Sequence, residues 1–260
     1  MSNSIQSVKI FKPRRAKIKV GPLDVNYINR KTPWVPAWWS AALPGLGHIH
    51  LGHYLKGLLL MSGEILLNTL SKLNLAIYYS MIGNFDEVHQ VINYNWLFLY
   101  CAIFVFAIWD SYRITVDQNK SSMVESFQEE RQITHGTINT WGMNSLNHRN
   151  PRMAFVWNFI FTGLFHICNN KLISGITLMG WMVAISYYTK LPKMIMYTVL
   201  GEFDLISPLI NPQWLLFFPS IYLFSIYDGY AHAVYYNELF VEEQAYHFDK
   251  IYGESELKLD

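Results

Sequence analysis

The sequence predicts an all-α membrane protein, a polytopic helical bundle of two tandem parallel repeats. Each repeat is read as a transmembrane hairpin preceded by a short interfacial or re-entrant helix. Three observations carry this. Of 260 residues, 52% are hydrophobic and only 15% charged, against ~25% charged in soluble domains. The apolar residues bunch into four runs, Leu55 to Tyr79, Trp96 to Trp109, Leu172 to Tyr188 and Trp214 to Tyr227, each broken by few charges. A soluble core helix keeps a polar stripe at helical spacing, whereas residues 97–108 are apolar on every face. Finally, a shift of 118 residues carries Gly45-Leu46-x-His48-Ile49 onto Gly163-Leu164-x-His166-Ile167, with no gap. The same shift carries Gly57 onto Gly175, Lys72-Leu73 onto Lys190-Leu191, Gly83-x-Phe85-Asp86 onto Gly201-x-Phe203-Asp204 and Asp110-x-Tyr112 onto Asp228-x-Tyr230.

Residues 1–32 form a basic arm carrying Lys9, Lys12, Arg14, Arg15, Lys17 and Lys19. Beside a membrane segment such an arm reads as a topology signal and not as a nucleic-acid contact. No apolar core with a small-residue cleavage site follows it directly, so the first hydrophobic segments are expected to direct insertion.

Residues 33–119 are the first membrane repeat. Its opening stretch, Trp34 to Leu43, is bracketed by Pro33, Pro36 and Pro44. It falls short of the ~20 helical residues that cross ~30 Å of hydrocarbon, so it is expected to lie at the interface or dip in and return. Trp34, Trp38 and Trp39 suit that depth. A glycine turn, a long helix, an acidic loop and a second helix ending at Asp110-x-Tyr112 complete the repeat. Residues 120–150 read as a polar cytoplasmic connector with a short helix around Ser122 to Ile133. Residues 151–241 are the second repeat, whose opening stretch, Met153 to Phe165, is longer and lacks the prolines, which leaves an additional crossing open. Residues 242–260 are an acidic tail expected to fray.

Charge sets the orientation. Arg30, Lys31, Arg113, Lys120, Arg131, Arg149 and Arg152 flank one side. The loops at 83–95 and 201–213 carry Asp86, Glu87, Glu202 and Asp204 and no Lys or Arg. The positive-inside rule then places both termini and the connector in the cytoplasm, with two crossings per half. An even number per half makes the repeats parallel.

Asp110 and Asp228 are the sharpest site candidates, because an acid in a membrane helix is unfavourable without a partner. Counting ~1.5 Å per residue along the helix places Asp110 at the same end as the Gly-x-His turn. Asp110 is therefore expected to approach His48, and Asp228 to approach His166, with Tyr112 and Tyr230 nearby. The same residues serve either a structural polar clasp or a proton or cation site. Glu64 shares a helix face with Asn68 and Lys72 at i, i+4, i+8 spacing and has no acidic counterpart, since Met182 stands at the shifted position. It joins the candidates for an ion path, and Lys72 and Lys190 are expected to reach back to the outer interface.

His48, His50 and His53 form an H-x-H-x-x-H cluster, with His166 and Cys168 at the related turn. These five are the candidate metal ligands, weighed against interfacial histidines that bond water or lipid head groups. Cys101 and Cys168, the only cysteines, read as reduced packing residues.

The segment from Leu43-Pro44-Gly45-Leu46-Gly47-His48 through Gly52 and Gly57 resembles the Pro-Gly-Leu-Gly-Gln-type turn of small bacterial membrane proteins related to the TM2-domain family. Asp110-Ser111-Tyr112 and Asp228-Gly229-Tyr230-Ala231 are similar to the helix ends of such proteins. The second half departs from the pattern at Thr162, Phe165 and Asn169-Asn170-Lys171, and the first at His48 and His50. The resemblance implies a helical-hairpin fold in the bacterial cell membrane and no particular chemistry.

No Ser-His-Asp spacing, phosphate loop or paired-cysteine motif is present, so no enzyme activity and no cofactor are expected. The expected function is a structural or accessory role in a membrane assembly. Its partners are the lipid bilayer, a further membrane protein and, as another class, a second copy of the chain, with no nucleic acid. Two rivals stand beside it: a small transporter or channel using Asp110, Asp228 and Glu64, and a metal-handling membrane protein using His48, His50 and His166.

Overall fold

The computed structural model describes residues 16–21, 23–127, 132–133, 136–139 and 142–252. Helices dominate. The first half runs through α1 (Trp34–Ala42), α2 (Leu46–His50), α3 (Tyr54–Ser71), α4 (Leu73–Met81), α5 (Phe85–Val91) and the 33-residue α6 (Tyr94–Ser126). The second runs through α7 (Pro151–Ile160), α8 (Leu164–Cys168), α9 (Leu172–Thr189), α10 (Leu191–Leu200), two 3₁₀ turns (Phe203–Leu205 and Ser207–Leu209), α11 (Pro212–Leu215) and the 35-residue α12 (Phe218–Tyr252).

Among the described residues, α6 and α9 are long and apolar enough to cross a membrane. A third candidate is the pair 203–209 and 212–249, which bends by 90° at its break. The sequence reading gave four crossing runs. The run from Leu55 to Tyr79 divides at Lys72, and its larger part, α3, carries Lys56, Glu64 and Asn68, which lower its hydropathy.

Local sequence explains the breaks. Leu43 is extended, Pro44 follows, and Gly45 turns the chain with φ +103°, a conformation open to glycine. The turn packs backbone against backbone on α3: a Cβ on Gly45 would run into the Gly57 carbonyl oxygen, and one on Gly57 would lie 2.7 Å from Ile49 Cγ1. Gly163, at φ +89°, packs on Gly175 in the same way. α3 and α9 end at Lys72 and Lys190, both left-handed at φ 55° and 54°. Beyond Lys72, Asn68 Oδ1 accepts the Asn74 N–H at 3.1 Å, supplying a partner to an otherwise orphaned donor at the start of α4. Beyond Lys190, Pro192 sits in the first turn of α10, where its missing N–H is not needed. Both lysines are exposed.

The all-α expectation needs one correction. β1 (Ala16–Val20) pairs antiparallel with β2 (Val25–Tyr27) and parallel with β3 (Gln132–Ile133), and β4 (Gly136–Asn139) pairs antiparallel with β5 (Gly142–Ser145). The described part of the arm is thus folded: Ile18, Val20 and Val25 pack with Leu146, Tyr236 and Leu239. Lys17 Nζ lies 3.2 Å from Glu125 Oε2 and 3.4 Å from Glu242 Oε2, spanning α6 and α12. Lys9, Lys12, Arg14, Arg15, Glu129, Glu130, Arg131, His135 and residues 253–260 lie outside the described residues.

Three boundaries also move. α6 does not stop at Tyr112 but continues to Ser126, so the first residues of the helix expected around Ser122 to Ile133 are its last turn, and Gln132 and Ile133 form strand β3. Nothing breaks it: no Gly or Pro follows Asp110, and Arg113, Asp117 and Lys120 are spaced for ion pairing along one face. α12 likewise passes Tyr230 and the expected fray point at 242, reaching Tyr252.

The core lies between the halves. Leu46, Ile49, Met61 and Ile65 meet Leu178, Ile185, Phe217, Ile221 and Phe224, with Trp39 and Trp181 at the margin. Farther along α3, Gln213 of α11 joins the halves through polar contacts: its Nε2 donates to Asn68 Oδ1 at 2.9 Å and its Oε1 accepts the Leu75 N–H at 3.0 Å.

Candidate functional site

The Gly45 turn aims α2 inward, so that His48 and His50 are both buried on different faces of one short helix. His48 Nε2–H donates to Asp110 Oδ2 at 2.9 Å. Arg113, one turn along α6, donates to Asp110 Oδ1 at 2.7 Å, and the Lys56 ammonium pairs with Oδ2. This carboxylate is 1% exposed, but its two fixed cations are 39% and 48% exposed, so the cluster opens at its edge.

Asp228 is surrounded differently. His166 Nε2–H donates to Oδ2 at 2.9 Å, matching the His48–Asp110 distance. His50, from the first half, donates through Nδ1 to Oδ1 at 2.6 Å, and His232 Nε2 lies 3.2 Å from that oxygen. Ser174 and Ala231 stand where the 118-residue shift would place Lys56 and Arg113. The carboxylate is 0% exposed and held by imidazoles.

Behind His232, the Tyr27 hydroxyl of β2 lies 2.5 Å from Nδ1, and Lys171 Nζ lies 2.7 Å from Nε2. Burial, with Asp228 adding to it, pushes the Tyr27 phenol well above its usual range. Burial pulls the Lys171 ammonium down, opposed by Asp228. Lys31, beside the Tyr27 ring, is pulled down to about 7 by burial and then by Lys171.

The lowered Lys31 pKa makes stability depend on pH. Between pH 7 and its ordinary value the unfolded chain binds a proton that the folded chain lacks, so this group makes folding more favourable as pH rises through that window. Below pH 7 both states are protonated and the burial penalty is complete. Thermal unfolding at pH 7 and pH 9 is expected to show a gain that Lys31→Met reduces; an equal gain in the variant would refute the assignment.

Other sequence candidates lie apart from the two carboxylates. Tyr112 packs edge-on against Trp34 at 5.2 Å, and Tyr230 is 49% exposed. Glu64 is buried toward the opposite end of α3, where Asn68 donates to its Oε1 at 3.2 Å. The five candidate metal ligands do not assemble as one set, although His50 and His166 both reach Asp228. His48 and His50 face different carboxylates, His53 Nε2 sits 3.4 Å from Gln118 Nε2, and Cys168, like Cys101, is exposed. The packing role expected of the cysteines is corrected accordingly: both sit on the outer face of their helices. Among the described residues, the donors that converge are His50, Asp228 and His232, within 4.8 Å of one another.

His232, Tyr27, Lys31 and Lys171 were not singled out from sequence. His232 carried a signal, being four residues after Asp228 on one helix. The other three are brought in by the fold of the arm and by the loop before α9.

Comparison with family models, with curated proteins and with solved structures gives no match to this chain.

Proposed function

We propose that this chain is a multi-pass protein of the cell membrane with a structural or accessory role in a membrane assembly and no catalytic activity of its own. The observation that carries the reading is that both intramembrane aspartates are buried and paired with histidines from adjoining turns. A conduction path would instead place them on a shared wet cavity. The cavities beside Asp228 hold only about 10 and 20 Å³, room for about one water each. The His–Asp pairs serve as clasps that hold α2 against α6 and α8 against α12, and the His50–Asp228 bond joins the halves. The many apolar side chains exposed along α6 and α9 suit lipid or a neighbouring membrane helix.

In this reading the halves are tandem parallel repeats with four crossings, by α3, α6, α9 and α12. At ~1.5 Å per residue, α3 and α9 span ~27 Å each, close to the hydrocarbon thickness. The α1–α2 and α7–α8 pairs dip in and return on the cytoplasmic side with the termini, as the basic flanks and the resemblance to TM2-related proteins suggest.

The role is tested in two arms. Cross-linking in intact membranes followed by mild-detergent purification is expected to recover a stoichiometric membrane partner. Proton or cation flux above the lipid background in proteoliposomes would overturn the accessory reading. Orientation is tested with the two exposed cysteines. Cys168 is expected to react with a membrane-impermeant maleimide in inside-out vesicles and not in whole cells, while Cys101, about 10 Å along α6 from its start, stays unlabelled in both. Labelling of Cys168 in whole cells would reverse the topology.

A further inference from the structure

The two aspartate clusters share a His–Asp contact and differ in how their charge is balanced. Lys56 and Arg113 meet Asp110, but serine and alanine stand at the shifted positions around Asp228. Their place is taken by His50, reaching across from the first half, and by His232, one turn along α12. A fully buried carboxylate ringed by imidazoles is a poor ion pair unless a cation joins it.

The donors have the composition and spacing of a metal centre. Asp228 Oδ1 lies 2.6 Å from His50 Nδ1 and 3.2 Å from His232 Nε2, all three donors lying within 4.8 Å of one another, while His166 Nε2 holds the other carboxylate oxygen, Oδ2, at 2.9 Å. Bonds of ~2.0–2.1 Å in a tetrahedron place neighbouring donors ~3.3 Å apart, so small side-chain adjustments would admit an ion. A supporting outer contact is present as well. With Nε2 on the ion, His232 Nδ1–H donates to the Tyr27 hydroxyl oxygen, 2.5 Å away, which fixes the ring with Nε2 toward the carboxylate. A cavity of about 20 Å³ bordered by His50, His232, Tyr27, Tyr54, Lys31 and Lys171 adjoins the donors.

We infer that His50, His232 and Asp228 form a binding site for one divalent transition-metal ion of the zinc class, with its fourth position left to water, and that this ion fastens the first half of the chain to the second. Two imidazoles and a carboxylate suit such an ion in preference to calcium or magnesium, which take oxygen donors. The Lys171 ammonium, 2.7 Å from His232 Nε2, is the competing cation and must withdraw or lose its proton when the ion enters. The site goes beyond the accessory role and does not depend on it.

The test uses the full chain purified in detergent, stripped with a chelator and titrated with Co²⁺ and then Zn²⁺. One Co²⁺ per chain is expected, with a tetrahedral ligand-field band that Zn²⁺ removes. His232→Gln is expected to weaken uptake at least about 100-fold, and Lys171→Met to tighten it about tenfold by removing the rival charge. The wild-type chain taking up no stoichiometric Co²⁺ overturns the proposal, as does unchanged uptake in a helical His232→Gln chain. Where that variant misfolds, Lys171→Met decides, and binding no tighter than wild type overturns the site.

Discussion

Asp228→Ala is expected to lower stability by about 3–5 kcal/mol, the range for breaking a buried charged pair by removing one partner. It removes the common acceptor of His166 and His50 and the carboxylate facing His232, and it cuts a link between the halves. The histidines left behind are buried and have little access to water. Asp110→Ala is expected to do less harm, because Lys56 and Arg113 are already partly exposed and can be hydrated once released. Thermal unfolding of both variants in the same detergent, without added metal, ranks them. An Asp110→Ala loss equal to or larger than that of Asp228→Ala would show that the second cluster is not the principal fastening.

Gly45→Ala is expected to be comparably severe, for steric reasons alone. The residue sits at φ +103°, and its added Cβ would meet backbone atoms of Gly57 and Met61, which no rotamer change relieves. Backbone strain and overpacking of ~1–3 kcal/mol each combine to roughly 2–6 kcal/mol. Gly63→Ala and Gly180→Ala are the controls. Both glycines lie inside helices, and a Cβ there meets nothing within 4 Å, so these variants are expected to fold as well as the wild type. Expression and melting temperature of the three chains decide it. A stable Gly45→Ala chain would mean that α2 does not need its close approach to α3.

The His–Asp partners were legible in the sequence because they recur together. His48 and Asp110 reappear as His166 and Asp228 at one offset, and counting along the helix put each pair at the same end. The contact from His50 to Asp228 was not legible, since it depends on how α2 packs on α12, which no local pattern encodes. His232 was overlooked for a related reason. A search for recurring residues passes over a histidine whose counterpart, Ile114, is apolar.

β1 offered a readable signal: Lys17-Ile18-Lys19-Val20 alternates polar and apolar with strand period, but its lysines read more strongly as a topology flank. α6 and α12 run past the ends expected from sequence because the loss of hydrophobicity after Asp110 and Asp228 is not a loss of helix. A helix leaving a bilayer needs only a change of surface chemistry. Its backbone bonds are satisfied internally on either side of the boundary.

β1 also constrains mechanical motion. At ~1.5 Å per residue α6 and α12 are rods ~50 Å long, and Lys17 grips Glu125 near the tip of one and Glu242 on the other. Spreading those tips must stretch or break the grip, as it would for a pair of tongs held shut at the handles. Rotation of one rod against the other is thereby directed to the opposite end, where Gln213 rests on the break between α3 and α4.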